Sequence, residues 1–107
     1  MPVYNKLVRD KIPQIIGAEG KAFRSRILGE EEYRTELQTK LREESSEYFQ
    51  ANNPQDALEE LADMLEVIRA LATAHGPSWE QLEAIRARKA EKRGGFEEQV
   101  YLIDVED

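Results

Sequence analysis

The chain has 107 residues, 40% of them hydrophobic and 35% charged, with 22 acidic against 15 basic side chains, a net charge of −7 and no cysteine. That length suits a single domain spanning 1–107. No apolar run approaches the roughly 20 residues that would cross a bilayer, and the opening Met1–Lys6 lacks the apolar stretch of a secretory signal. Without thiols there is neither a disulfide scaffold nor a thiolate zinc site, so the expectation is a soluble cytoplasmic domain with no membrane partner.

The charge is unevenly placed. Between Gly29 and Glu66 stand twelve acids and three bases, a net −9, whereas the rest of the chain holds ten acids and twelve bases, a net +2. Such a middle argues against a nucleic-acid polymer as partner, because phosphate binding needs clustered Lys and Arg. It suits a solvated helix surface or a cation site.

Taken in order, the residues predict a short helix through Pro13, Ile15 and Ile16, capped by Asp10 and ended by Gly17 and Gly20. An extended stretch from Lys21 to Leu28 follows. A long helix starts at Glu30, where Glu30, Glu31 and Glu32 suit the positive end of its dipole, and Tyr33, Leu37, Leu41 and Tyr48 keep helical spacing until Ala51-Asn52-Asn53. Asn53 as cap and Pro54 in the first helical position open the next helix, which Gly76-Pro77 stops after His75. Ser78 with Gln81 reads as a capping box for a last helix carrying Trp79, Leu82 and Ile85, closed by Gly94-Gly95. Val100 to Val105 reads as a strand. The fold class is therefore mainly all-α, an antiparallel helix bundle with a small terminal β element.

Two long helices joined through Asn52-Asn53 must fold back as a hairpin. Glu44 lies eight residues before Asn52 and Glu60 eight after it, so the two carboxylates stand level. Glu44/Glu47 and Glu60/Asp63 each have the i, i+3 spacing of neighbouring side chains on one helix. At about 100° per residue Glu44 falls inside the apolar stripe of Leu37, Leu41 and Tyr48, Lys40 and Glu47 border it, and Glu43 points away. In the following helix Leu58, Leu61, Leu65 and Ile68 form one apolar face. Asp63 lies opposite, among Val67, Ala70 and Ala74. A helix apolar nearly all round tends to be buried, and there Asp63 needs a partner. Four converging carboxylates repel one another, so they either take up protons or share a cation, and oxygen-only donors favour Mg²⁺, with Mn²⁺ as a substitute. The alternative is that these acids form the wet faces of charge-rich helices.

The order Lys40-Leu41-x-Glu43-Glu44-x-x-Glu47, twelve residues, Glu60-Leu61-Ala62-Asp63 resembles the ExxE and ExxD signature of the all-α, MazG-like nucleoside triphosphate pyrophosphohydrolases. Tyr4-Asn5-Lys6-Leu7-Val8-Arg9-Asp10-Lys11-Ile12-Pro13 resembles the opening of small house-cleaning or phosphoribosyl-ATP pyrophosphohydrolase-like members, and Lys89-x-x-x-Arg93-Gly94-Gly95-Phe96 their closing motif. The likeness runs from Tyr4 to about Phe96. It implies Mg²⁺-dependent hydrolysis of a nucleoside triphosphate to the monophosphate and pyrophosphate, with Glu44, Glu47, Glu60 and Asp63 as metal ligands. One of these acids or a neighbour would orient or deprotonate the attacking water, and Glu44 and Glu47, with Lys40, are the catalytic candidates. Lys40, Lys89 and Arg93 are the candidate cations for the phosphates, Gly94 allows close backbone approach, and Lys6 and Arg9 complete the substrate-binding candidates.

Each has a plainer alternative. Lys40 can pair with Glu44 alone, Lys89 and Arg93 suit the negative end of a helix dipole, and Lys6, Arg9 and Lys11 suit a solvated surface or a neighbouring subunit. His75 reads as structural, and Trp79 and Tyr48 as core packing rather than base stacking. There is no Gly-rich phosphate loop ending in Lys-Ser or Lys-Thr, and no Ser-His or Cys-His nucleophile system. Two other functions stay open: phosphoribosyl-ATP hydrolysis in histidine synthesis, and a non-catalytic helical module that binds a cation or a protein. A helix apolar on both faces has more surface to bury than one hairpin covers, which with the resemblance implies a homodimer or homotetramer.

Overall fold

A computed structural model describes residues 2–76 and 78–107, and the expected stop at Pro77 lies outside the described residues. Four helices follow one another: α1 (Ile12–Ala18), α2 (Glu30–Phe49), α3 (Pro54–Ala74) and α4 (Trp79–Arg93). The all-helical class read from the sequence is the class observed.

Local chemistry accounts for most of the boundaries. Gly29 holds the N-cap of α2 in extended backbone, and Glu30, Glu31 and Glu32 fill its first turn. Glu32 is further held by the two terminal guanidinium nitrogens of Arg26, at 3.0 and 2.7 Å, which pulls its carboxyl below the ordinary glutamate range. At α3 the Asn53 side-chain oxygen accepts from the Asp56 backbone N–H at 2.8 Å, while its amide donates to the Asp56 carboxylate at 3.1 Å. The Ser78 hydroxyl accepts from the Gln81 N–H at 3.3 Å and opens α4. Gly94, at φ +84°, closes that helix in a conformation that disfavours a side chain.

Three expectations are corrected. Asp10 does not cap α1; Lys11 holds the cap position in helical backbone without a side-chain bond, and Pro13 supplies the early-turn preference instead. Gly17 lies within that helix rather than ending it, and the turn past its end falls at Gly20, φ +77°. Val100 to Val105 forms no strand, nor does any other segment among the described residues, because no second extended segment lies alongside to complete a ladder.

α2 and α3 pack as an antiparallel hairpin across residues 50–53. At its open end Arg34, near the start of α2, donates from Nη2 to the Ala74 carbonyl in the last turn of α3 at 3.2 Å, placing a cation on a free helix-terminal carbonyl. The hairpin buries Leu37, Glu44 and Val67. α3 therefore turns its Glu60, Asp63 and Val67 face to α2, while the leucine face points out, with Leu58, Leu61 and Leu65 at 61%, 45% and 50% exposed. Among the described residues α4 packs on α3 alone, with the Arg69 guanidinium 5.0 Å from the Trp79 ring centre, and α1 packs on none of the other helices. The radius of gyration is 18.3 Å, against about 13 Å for a compact chain of ~100 residues.

Candidate metal centre

The hairpin turn sets the register of the site. With α2 and α3 joined by four residues, Glu44 and Glu47 on one helix meet Glu60 on the other, and one carboxylate oxygen from each lies within 4.8 Å of the other two. Glu44 is 8% exposed, the one charged residue that is buried among the described residues. It sits in the apolar stripe, as its azimuth predicts. Glu60 is half-buried, Glu47 is exposed and Glu43 points to solvent.

Two carboxylate oxygens in this cluster, Glu44 Oε2 and Glu60 Oε2, are buried and accept no hydrogen bond among the described residues. A carboxylate oxygen removed from water without a donor is costly, so the arrangement needs either a proton or a cation at that point. The proton affinities show the same strain. Burial first, then the Glu47 carboxyl beside it, raises Glu44 above the ordinary range, against the pull of Lys40. Burial together with Glu47 and Glu44 pushes Glu60 up to about 7. Three acids converging within 4.8 Å from facing helices, with two donorless oxygens, fit a hard divalent cation, whose charge would replace the protons.

Lys40 Nζ stands 3.5 Å from Glu44 Oε1, with both side chains largely buried, and so neutralises part of the cluster from one side. Asp63, the fourth expected ligand, is near enough for its charge to act on Glu44, yet it stands outside the three-residue convergence. Its Oδ1 instead accepts from Arg9 Nη2 at 2.7 Å. Beside the cluster, towards the turn, an open groove of about 250 Å³ is lined by Glu47, Asn52, Asp56, Glu59 and Glu60.

Lys89, Arg93 and Gly94 lie at the end of α4, and among the described residues neither cation forms an ion pair with the four carboxylates. The Lys6 ammonium lies 5.7 Å from the centre of the Tyr4 ring. His75 caps the carboxyl end of α3 and is exposed. Tyr48 is half-buried and meets Phe49 edge to face at 5.3 Å, bordering a second groove on the far side of the turn. The Arg9–Asp63 pair was invisible to spacing, since 54 residues separate the partners and no periodicity links them.

No protein-family model, curated protein or solved structure matches the chain.

Proposed function

We propose that the protein is a Mg²⁺-dependent nucleotide pyrophosphohydrolase, cleaving a nucleoside triphosphate to the monophosphate and pyrophosphate as a house-cleaning enzyme. The observation that carries this reading is the convergence of Glu44, Glu47 and Glu60 around two buried, donorless carboxylate oxygens. The sequence resemblance to MazG-like enzymes supplies the reaction; the acidic cluster supplies a place where it fits. In this reading Glu44, Glu47 and Glu60 hold the metal and Asp63 joins them. When bound, Mg²⁺ neutralises phosphate oxygens and acidifies a water. Lys40 limits the repulsion among the acids. The exposed Glu47, beside the open groove, has room for a water and is the side chain best placed to orient one. The protein would work in the cytoplasm.

Incubation with a panel of canonical and damaged triphosphates and Mg²⁺, with pyrophosphate as the readout, tests the proposal. Release from at least one triphosphate, lost in Glu44→Gln and Glu60→Gln, is the expected result. Absence of release from every substrate, or rates untouched by both substitutions, overturns it. Inclusion of phosphoribosyl-ATP decides whether the same chemistry serves histidine synthesis.

Self-association belongs to the same proposal. The outward leucine face of α3 and the extended shape are what a second copy would cover, giving a homodimer or a homotetramer.

A further inference from the structure

Arg9 lies in the irregular segment before α1, a helix that among the described residues packs on no other. Among the described residues its guanidinium makes the one hydrogen bond from the residues that precede α1 to the hairpin, the 2.7 Å bond to Asp63 Oδ1. Both side chains are open to water, Arg9 at 57% and Asp63 at 41% exposed, so the pair is screened and exchangeable. Asp63 follows Glu60 by one turn on the face that meets α2, beside the three converging carboxylates but not among them. Its oxygen is committed to a guanidinium, whose planar fork binds phosphate as well as it binds carboxylate.

We propose that Arg9 is an exchangeable counter-cation of Asp63: it closes on Asp63 in the cation-free protein, and a divalent cation that draws Asp63 into the carboxylate cluster releases the guanidinium to the phosphates of a polyphosphate ligand. This rests on the metal-dependent reading above and adds the order of events at that site. The direction of the exchange follows from competition for one oxygen: the guanidinium brings a single, delocalised charge to Asp63 Oδ1 in an exposed pair, and a divalent ion brings two charges to the same oxygen. Arg9 is then the cation whose partner has been taken, and a polyphosphate brings a new one. Lys40 cannot make this move, because it is largely buried against Glu44 one turn away on the same helix.

Binding of Mn²⁺ alone, followed by the free-ion spin-resonance signal at pH 8 on the full chain, tests the exchange without reference to turnover. Arg9→Gln is expected to bind Mn²⁺ at least roughly threefold more tightly than the unmodified protein, because a competing cation is gone. Arg9→Lys should fall between them, Asp63→Asn should bind more weakly, and adding Arg9→Gln to Asp63→Asn should bring no gain. The Arg9 Nε–H resonance should shift when Mg²⁺ is added, and again when inorganic pyrophosphate follows. Unchanged or weaker Mn²⁺ binding in Arg9→Gln, or a gain that survives in the double variant, overturns the exchange while leaving the metal site standing. An Arg9 resonance that ignores pyrophosphate overturns the hand-over to phosphate. If no variant binds Mn²⁺, the exchange and the metal reading fall together.

Discussion

Glu44 is pulled two ways, by Lys40 at 3.5 Å and by the acids Glu47, Glu60 and Asp63 around it, and its raised proton affinity says that repulsion and burial win. Glu44→Gln should therefore raise the melting temperature of the cation-free protein by a few degrees at pH 8 while abolishing stabilisation by Mg²⁺, even though it removes the ion pair with Lys40. Paired thermal melts with chelator and with Mg²⁺ measure both effects, and a lower melting point in chelator would show that the Lys40 pair dominates. Glu60 supplies the pH dependence. An unfolded glutamate titrates near 4.5, whereas Glu60, facing Glu44 and Glu47, is held at about 7. Its protonated form is the one the fold favours, so its contribution to stability is complete below about pH 4.5 and is lost as pH rises through about 7. Denaturant midpoints of the cation-free protein should fall between pH 5 and pH 8, and Glu60→Gln should flatten that slope. For the same reason Mg²⁺ binding should release protons near neutrality and tighten as pH rises to 7.

At the scale of single helices, the caps and the few inward side chains carry the stability. Replacing Asn53 with Ala removes both the bond to the Asp56 N–H and the amide bond to its carboxylate, and should cost about 1 kcal/mol in urea denaturation. Leu37 is 4% exposed, and Leu37→Ala should cost roughly 2–5 kcal/mol. These elements were legible because their signals are local: Asn53-Pro54 and Ser78 with Gln81 mark helix starts wherever the rest of the chain goes. The level of Glu44 and Glu60 was equally legible, since a short connection and the rise per residue leave one register for the hairpin. The first helix was read less well. Asp10 has the right side chain for a cap, but Lys11 takes the position in helical backbone and leaves Asp10 outside it.

For the whole molecule, the two apolar faces of α3 are not equivalent. α2 takes the face that carries Asp63 and Val67, which also brings Glu60 to Glu44, and the larger leucines are left outward. Spacing showed both faces and had no means to choose, since the choice belongs to the partner helix. If a second copy covers the outer face, light scattering at micromolar concentration should give at least twice 12.3 kDa, and Leu61→Asp should return the protein to monomers. A monomeric mass for the unmodified chain would remove the self-association proposal.

The order and ends of α2 to α4, the hairpin between the first two and the meeting of three glutamates follow from residues close in sequence, through caps, helical period and a four-residue connection. The tertiary structure decided what depends on distant segments: which face of α3 is covered, that Asp63 is held by Arg9 from 54 residues away, and that Val100 to Val105 stays unpaired. Local bonds are made by neighbours whose spacing can be counted, whereas a ladder, an ion pair across the chain or a buried face exists only when a second segment arrives to complete it.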